Sequence, residues 1–184
     1  MTRDELRVAA VDLIAHARRE IVICSPALDP ALYNRATLAE ALGHFIARQA
    51  RCRARIVVED TEHMLQSSTR LVELARRFSD MILIRRLGEP HHGLTEMFIV
   101  ADSESCLYQQ DITVIDATLD LHTPHLAVPL ARRFEDIWAG SEPAPGLQTH
   151  GEAVPTSTAP AGTPAVDAAV AQAADEILKA TGVS

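Results

Sequence analysis

Apolar runs too short for helices recur through the first 110 residues, and the stretches between them carry helical periodicity. Glu20-Ile21-Val22-Ile23-Cys24, Arg55-Ile56-Val57-Val58-Glu59 and Met81-Ile82-Leu83-Ile84 are aliphatic runs of strand length. Met97-Phe98-Ile99-Val100-Ala101 and Cys106-Leu107-Tyr108-Gln109 follow, with only Asp102-Ser103-Glu104-Ser105 between them, which is hairpin spacing. Strands alternating with helices must cover their apolar faces in layers. The fold class is therefore α/β, a layered sheet with helices on both faces and an antiparallel hairpin at one end.

The helices are marked by caps and by apolar spacing. Thr2-Arg3-Asp4-Glu5 is a capping box, opening a helix whose Leu6, Ala9, Ala10, Leu13 and Ile14 share a face. Pro26 and Pro30 predict a loop after the first strand. Thr37-Leu38-Ala39-Glu40 repeats the capping pattern and opens a second helix to about Gln49. Leu71, Leu74, Ala75 and Phe78 mark a third, with Ser67 or Ser68 as cap. A turn region spans Gly88 to Gly93. The last helix runs from Leu126 to Trp138, with Leu130, Phe134, Ile137 and Trp138 facing inward.

Composition breaks after Gly140. Residues 141–184 hold five of the ten prolines and eleven alanines, but no aromatic residue. The expected division is an α/β domain over 1–140, a flexible Pro- and Ala-rich linker over 141–164, and a short helix over 165–184. Thr163-Pro164 suits the start of that helix, and Val166, Val170, Ala173, Ala174 and Ile177 recur at its spacing.

Charge and composition exclude several functions. Sixteen arginines stand against a single lysine, Lys179, so Lys-dependent chemistry is absent from the main body. A net charge of −8 argues against a general binder of nucleic acid or anionic membranes, while leaving room for a local basic patch. Arg48, Arg51, Arg53 and Arg55 form one basic cluster; Arg70, Arg76, Arg77, Arg85 and Arg86 form another. Cys24, Cys52 and Cys106 are odd in number and isolated, with neither a disulfide framework nor a zinc clasp. The start of the chain is too polar for a secretory signal, and no apolar run reaches the ~18–20 residues that cross a bilayer. A cytoplasmic location is expected.

No Gly-rich phosphate cradle and no G-x-S-x-G elbow occurs. His91-His92, and His122 and His125 around Thr123-Pro124, read as exposed loop histidines rather than metal ligands. Neither a metal nor a cofactor is expected.

The order of helices and strands over residues 5–139 resembles one half of the phospholipase D-like superfamily, whose H-x-K-x(4)-D motif lies on a strand and the following turn. The local match is Thr95-Glu96-Met97-Phe98-Ile99-Val100-Ala101-Asp102, with Thr95 at the His position, Met97 at the Lys position and Asp102 at the Asp position. Leu28-Asp29-Pro30-Ala31-Leu32-Tyr33, Leu71-Val72-Glu73-Leu74-Ala75-Arg76-Arg77 and Ile82-Leu83-Ile84-Arg85-Arg86 resemble an uncharacterised bacterial family of such domains, found alone or appended to acetyltransferases. Nothing in this chain resembles the acetyltransferase part.

The resemblance implies a covalent mechanism in which the His attacks phosphorus and the Lys neutralises phosphoryl oxygens. Threonine is a poor unassisted nucleophile and methionine carries no charge. The expectation is a pseudoenzyme, a non-catalytic binding or regulatory module for an unknown protein or small anionic ligand. The alternative is a hydrolase or phosphate-ligand enzyme with a displaced active site near Ser25, Asp60 and His91. Ligands of open α/β sheets bind beyond the carboxyl ends of strands, which gives Ser25, Asp29, Glu59, Asp60, His91 and His92 as cleft residues. The superfamily joins two halves face to face, so a chain with one half is expected to form a homodimer, with apolar Met97 suited to the closed interface.

Overall fold

The computed structural model describes residues 2–114, 116–144, 146 and 147. Residues 148–164 of the expected linker, and the expected helix over 165–184, lie outside them.

Helix α1 (Arg3–His16) opens as its capping box requires: the Thr2 hydroxyl accepts from the Glu5 amide, and the Glu5 carboxylate from the Thr2 amide. Strand β1 (Glu20–Cys24) is followed by a short helix α2 (Pro30–Tyr33) where a loop was expected. Asp29 caps α2 and Pro30 supplies its first turn, where a missing amide costs nothing. Helix α3 (Ala36–Arg48) starts one residue before the expected box, with Arg35 as N-cap and no side-chain cap bond. Thr37 and Glu40 are thus inside the helix, and no capping box forms.

Strand β2 (Arg53–Val58) leads to α4 (Thr61–Ser67), a helix that periodicity misses because it is two turns long. Helix α5 (Thr69–Arg77), strand β3 (Ile82–Arg86) and a 3-10 turn over Glu89–His91 follow. The hairpin is β4 (Met97–Ala101) and β5 (Ser105–Gln109). Strand β6 (Ala117–Asp120), helix α6 (Pro124–Ala139) and the two-residue β7 (Glu142–Pro143) complete the described fold.

The seven strands lie in the order β6-β5-β4-β1-β2-β3-β7. The β1–β2 and β2–β3 pairs are parallel, and the other four are antiparallel. The first strand is therefore central, between β2 and β4. Alternate residues feed opposite layers. Ile21, Ile23, Met97, Ile99 and Ala101 pack with α1, α3 and α5 in the larger core. Val22, Cys24, Phe98 and Val100 pack on the other face with Ala127, Phe134 and Ile137 of α6. All three cysteines are free and buried, and burial pushes the Cys24 thiol up to about 12.

The ordered chain continues past Gly140. A Cβ at Gly88 would stand 1.9 Å from the Gly140 carbonyl oxygen, so the end of α6 presses on this turn where only glycine fits. Beyond it, β7 pairs with Arg85 and Arg86, Ala144 is buried, and Leu147 packs on the larger core. Limited proteolysis is accordingly expected to trim the Pro- and Ala-rich segment to a stable product ending beyond Leu147. A product ending near Gly140 in mass spectrometry would show that β7 is not held.

Candidate functional site

The three motif positions have three different fates. Thr95 precedes β4 and is exposed, and its carbonyl accepts the Ile112 amide at 2.8 Å. Met97 begins β4 opposite Gln109 and is 3 % exposed, its side chain spent in the larger core. It fills its own domain and offers nothing to an interface. Asp102 lies at the far end of the strand, in the hairpin turn. Its carboxylate accepts the backbone amides of Arg18, Arg19 and Glu20 at 2.7, 2.8 and 2.9 Å. Asp102 and Ser103 both have positive φ, 55° and 56°, in the three-residue turn between the paired residues Ala101 and Ser105. The Asp of the motif is a clamp between the hairpin and the entry to β1.

At the opposite end, the carboxyl ends of β1 and β2 are laced together. The Ser25 amide donates to Val57 at 3.1 Å, and the Glu59 amide to Pro26 at 3.1 Å. Leu28, buried, is held at φ 41° in this loop, a costly conformation for a bulky side chain. Ser25 is 3 % exposed and turns no open face to solvent. Beside it lies Tyr33, which the sequence reading missed. Burial drives its phenol above the ordinary tyrosine range, with Ser25 opposing the shift.

Four of the remaining cleft residues have local partners. Asp29 accepts from the Ala31 amide at 2.9 Å and Asp60 from the His63 amide at 2.8 Å, each capping a helix. Glu59 accepts from the Gly93 amide at 3.1 Å, and His92 Nε2 meets the Leu87 carbonyl at 3.0 Å. The His91 ring lies beside Gly140. Glu59 and Asp60 do share a hollow, of about 270 Å³, with Thr61, Glu62, Leu65 and Arg86. Ser25 and His91 do not line it. Its three carboxylates face one guanidinium, and Arg86 is already paired with Glu142 at 2.5 Å. Among the described residues no group of three or more His, Cys, Asp or Glu is placed to hold a metal ion.

The arginine clusters also separate. Arg55 reaches across the sheet face to Glu20 at 2.8 Å and Glu135 at 2.5 Å, and its guanidinium lies 5.2 Å from the Phe134 ring and 5.4 Å from the Trp138 ring. Arg85 lies 5.0 Å from the Trp138 ring and donates to the Trp138 carbonyl. Both hold α6 to the sheet. Their place in apolar strands, facing a helix with two aromatics, was the available signal.

Comparison with solved structures yields the same layered sheet. Nuc from Salmonella typhimurium, a phospholipase D family member, matches with a TM-score of 0.56 at 17% identity, over 74% of this chain and 89% of that one. NucT from Helicobacter pylori matches with a TM-score of 0.54 at 9% identity, over 77% of this chain and 92% of that one. TrmBL2, an archaeal chromatin protein with its own mode of DNA binding, matches with a TM-score of 0.57 at 10% identity. That match covers 77% of this chain, which spans about half (51%) of TrmBL2. Identities this low establish the fold alone: it is phospholipase D-like. A comparison with curated proteins finds no match. Among the described residues no helix is long and apolar enough to cross a membrane. The family described as Domain of unknown function (DUF7931) matches residues 2–149, and the chain belongs to it.

Proposed function

We propose that this domain is a non-catalytic binding or regulatory module on a phospholipase D-like scaffold, acting in the cytoplasm on a protein or small anionic ligand. Met97 carries the reading. A buried thioether occupies the position where the motif needs a cation for phosphoryl oxygens, and Thr95 beside it is no unassisted nucleophile. Asp102 has a structural task that needs no chemistry to explain it. The displaced site draws support only from the hollow at Glu59 and Asp60, whose excess of negative charge suits neither phosphate nor a developing oxyanion.

The purified chain is expected to show no metal-independent turnover of aryl phosphodiesters, phospholipids or nucleic acid. Turnover that persists through purification and disappears in Thr95→Ala overturns the pseudoenzyme reading.

A homodimer, two halves facing at the carboxyl ends of β1 and β2, belongs to the same proposal. Light scattering across a concentration series should approach twice the chain mass of 20.0 kDa. A mass of 20.0 kDa throughout removes the dimer.

A further inference from the structure

Arginines sort by what they touch. Arg7, Arg55, Arg86 and Arg133 each meet a carboxylate. Five others lie at the amino ends of β1 and β2: Arg18 and Arg19 on the connection before β1, Arg51 on the one before β2, and Arg48 and Arg53 at the end of α3 and the start of β2 that flank it. Arg48 gives its bonds to the carbonyls of Ala15 and Ala17, both at 2.7 Å, and Arg53 to those of Ala50 and Cys52 at 2.8 and 2.9 Å. Arg18, Arg19 and Arg51 are exposed, and their side chains bond nothing among the described residues.

The two connections form one surface. The Arg53 amide donates to the Arg19 carbonyl at 3.0 Å, and the Cys52 thiol to the Arg18 carbonyl at 3.4 Å. The acids at this edge are Glu20, which opens β1, and Glu135, both paired with Arg55; Asp80, before β3; Asp102 and Glu104, on the hairpin turn; and Asp120, at the end of β6. Asp102 is occupied by three amides, two of them belonging to Arg18 and Arg19. The last carbonyls of α1 absorb Arg48, as a helix C-terminus favours cations. Three guanidinium forks remain open to solvent, on a chain whose net charge is −8.

We propose that this edge binds a small anion bearing several phosphate groups, a polyphosphate chain or nucleoside polyphosphate. The proposal rests on the binding-module reading and lies at the end of the sheet opposite Thr95 and Met97. Guanidinium forks match phosphate oxygens two at a time, and several forks on one surface select several phosphates. The acidic remainder of the chain repels a longer polyanion extending beyond the patch, which favours a compact ligand.

Titration calorimetry of the full chain with tripolyphosphate at low salt should show saturable binding that weakens as salt is added. The variant R18A/R19A/R51A should bind about tenfold more weakly or worse, because it loses the charge-assisted bonds themselves. The variant R3A/R35A/R70A removes equal charge from the opposite end, and should stay within about twofold of the parent. Thermal melting of both variants checks that the fold is intact. Three results overturn the proposal: no saturable binding, equal weakening in both variants, or tight binding of a short DNA duplex that tripolyphosphate cannot displace. The turnover assay is separate, so phosphodiesterase activity would dismiss the pseudoenzyme without altering what the edge binds.

Discussion

Replacing Asp102 by Ala should cost the fold about 2–4 kcal/mol in urea denaturation, since three charge-assisted bonds to backbone amides vanish together. The amides of Arg18, Arg19 and Glu20 lose this shared acceptor together, and a methyl group supplies none. Asp102→Asn retains one oxygen and tolerates a positive φ, so its loss should be about half as large. A cost below about 1 kcal/mol for Asp102→Ala would mean that water replaces the carboxylate without penalty. The prediction separates a clamp from a catalytic remnant, because a mere remnant could be removed without loss of stability.

Arg55→Ala should be comparably damaging, at about 2–3 kcal/mol, and should also shift the fluorescence of Trp138, the one tryptophan. The substitution strips two carboxylates of their shared cation and leaves the Phe134 and Trp138 rings without the guanidinium against them. Arg55→Lys retains the charge but not the fork, so it should recover only part of the loss. Acid sensitivity gives a second reading. The hydrogen bond from Arg55 holds the Glu135 carboxyl below its ordinary value of 4.5. Its stabilisation is therefore complete above that value and declines as pH falls through the lowered one. The wild-type chain should lose this increment below about pH 4.5, and Arg55→Ala should lack it at every pH. Parallel acid profiles for the two proteins would count against the network.

Much of the architecture was readable because burial leaves a period behind. The strands from Glu20 to Cys24 and from Met97 to Ala101 appear at the residues their apolar runs mark. Elements stabilised by neighbours left no such trace. β6 is four residues ending in an aspartate, and β7 is two residues with Pro143, so only their partners make them strands. The site was harder to read, because one residue type serves two ends. Asp29 before a proline and Asp60 before Thr61 are helix-cap patterns as much as cleft acids, and the structure uses both as caps. Thr37 and Glu40 show the converse: capping spacing without a cap, because the helix begins at Ala36 and places both inside it.

The central position of β1 also constrains the order in which the protein can form. Its partner β2 follows soon in the chain, but β4 and the Asp102 clamp arrive about 80 residues later. At about 5–20 residues per second, that separation is roughly 4–16 s of synthesis, long compared with local helix or hairpin formation. Through that interval the nascent chain carries Ile21, Val22, Ile23 and Cys24 with one edge unpaired, and an edge of that kind invites pairing with other chains. The sheet closes from its middle outward only when the hairpin emerges, so a ribosome-bound chain ending before Met97 should engage chaperones more strongly than one ending after Gln109.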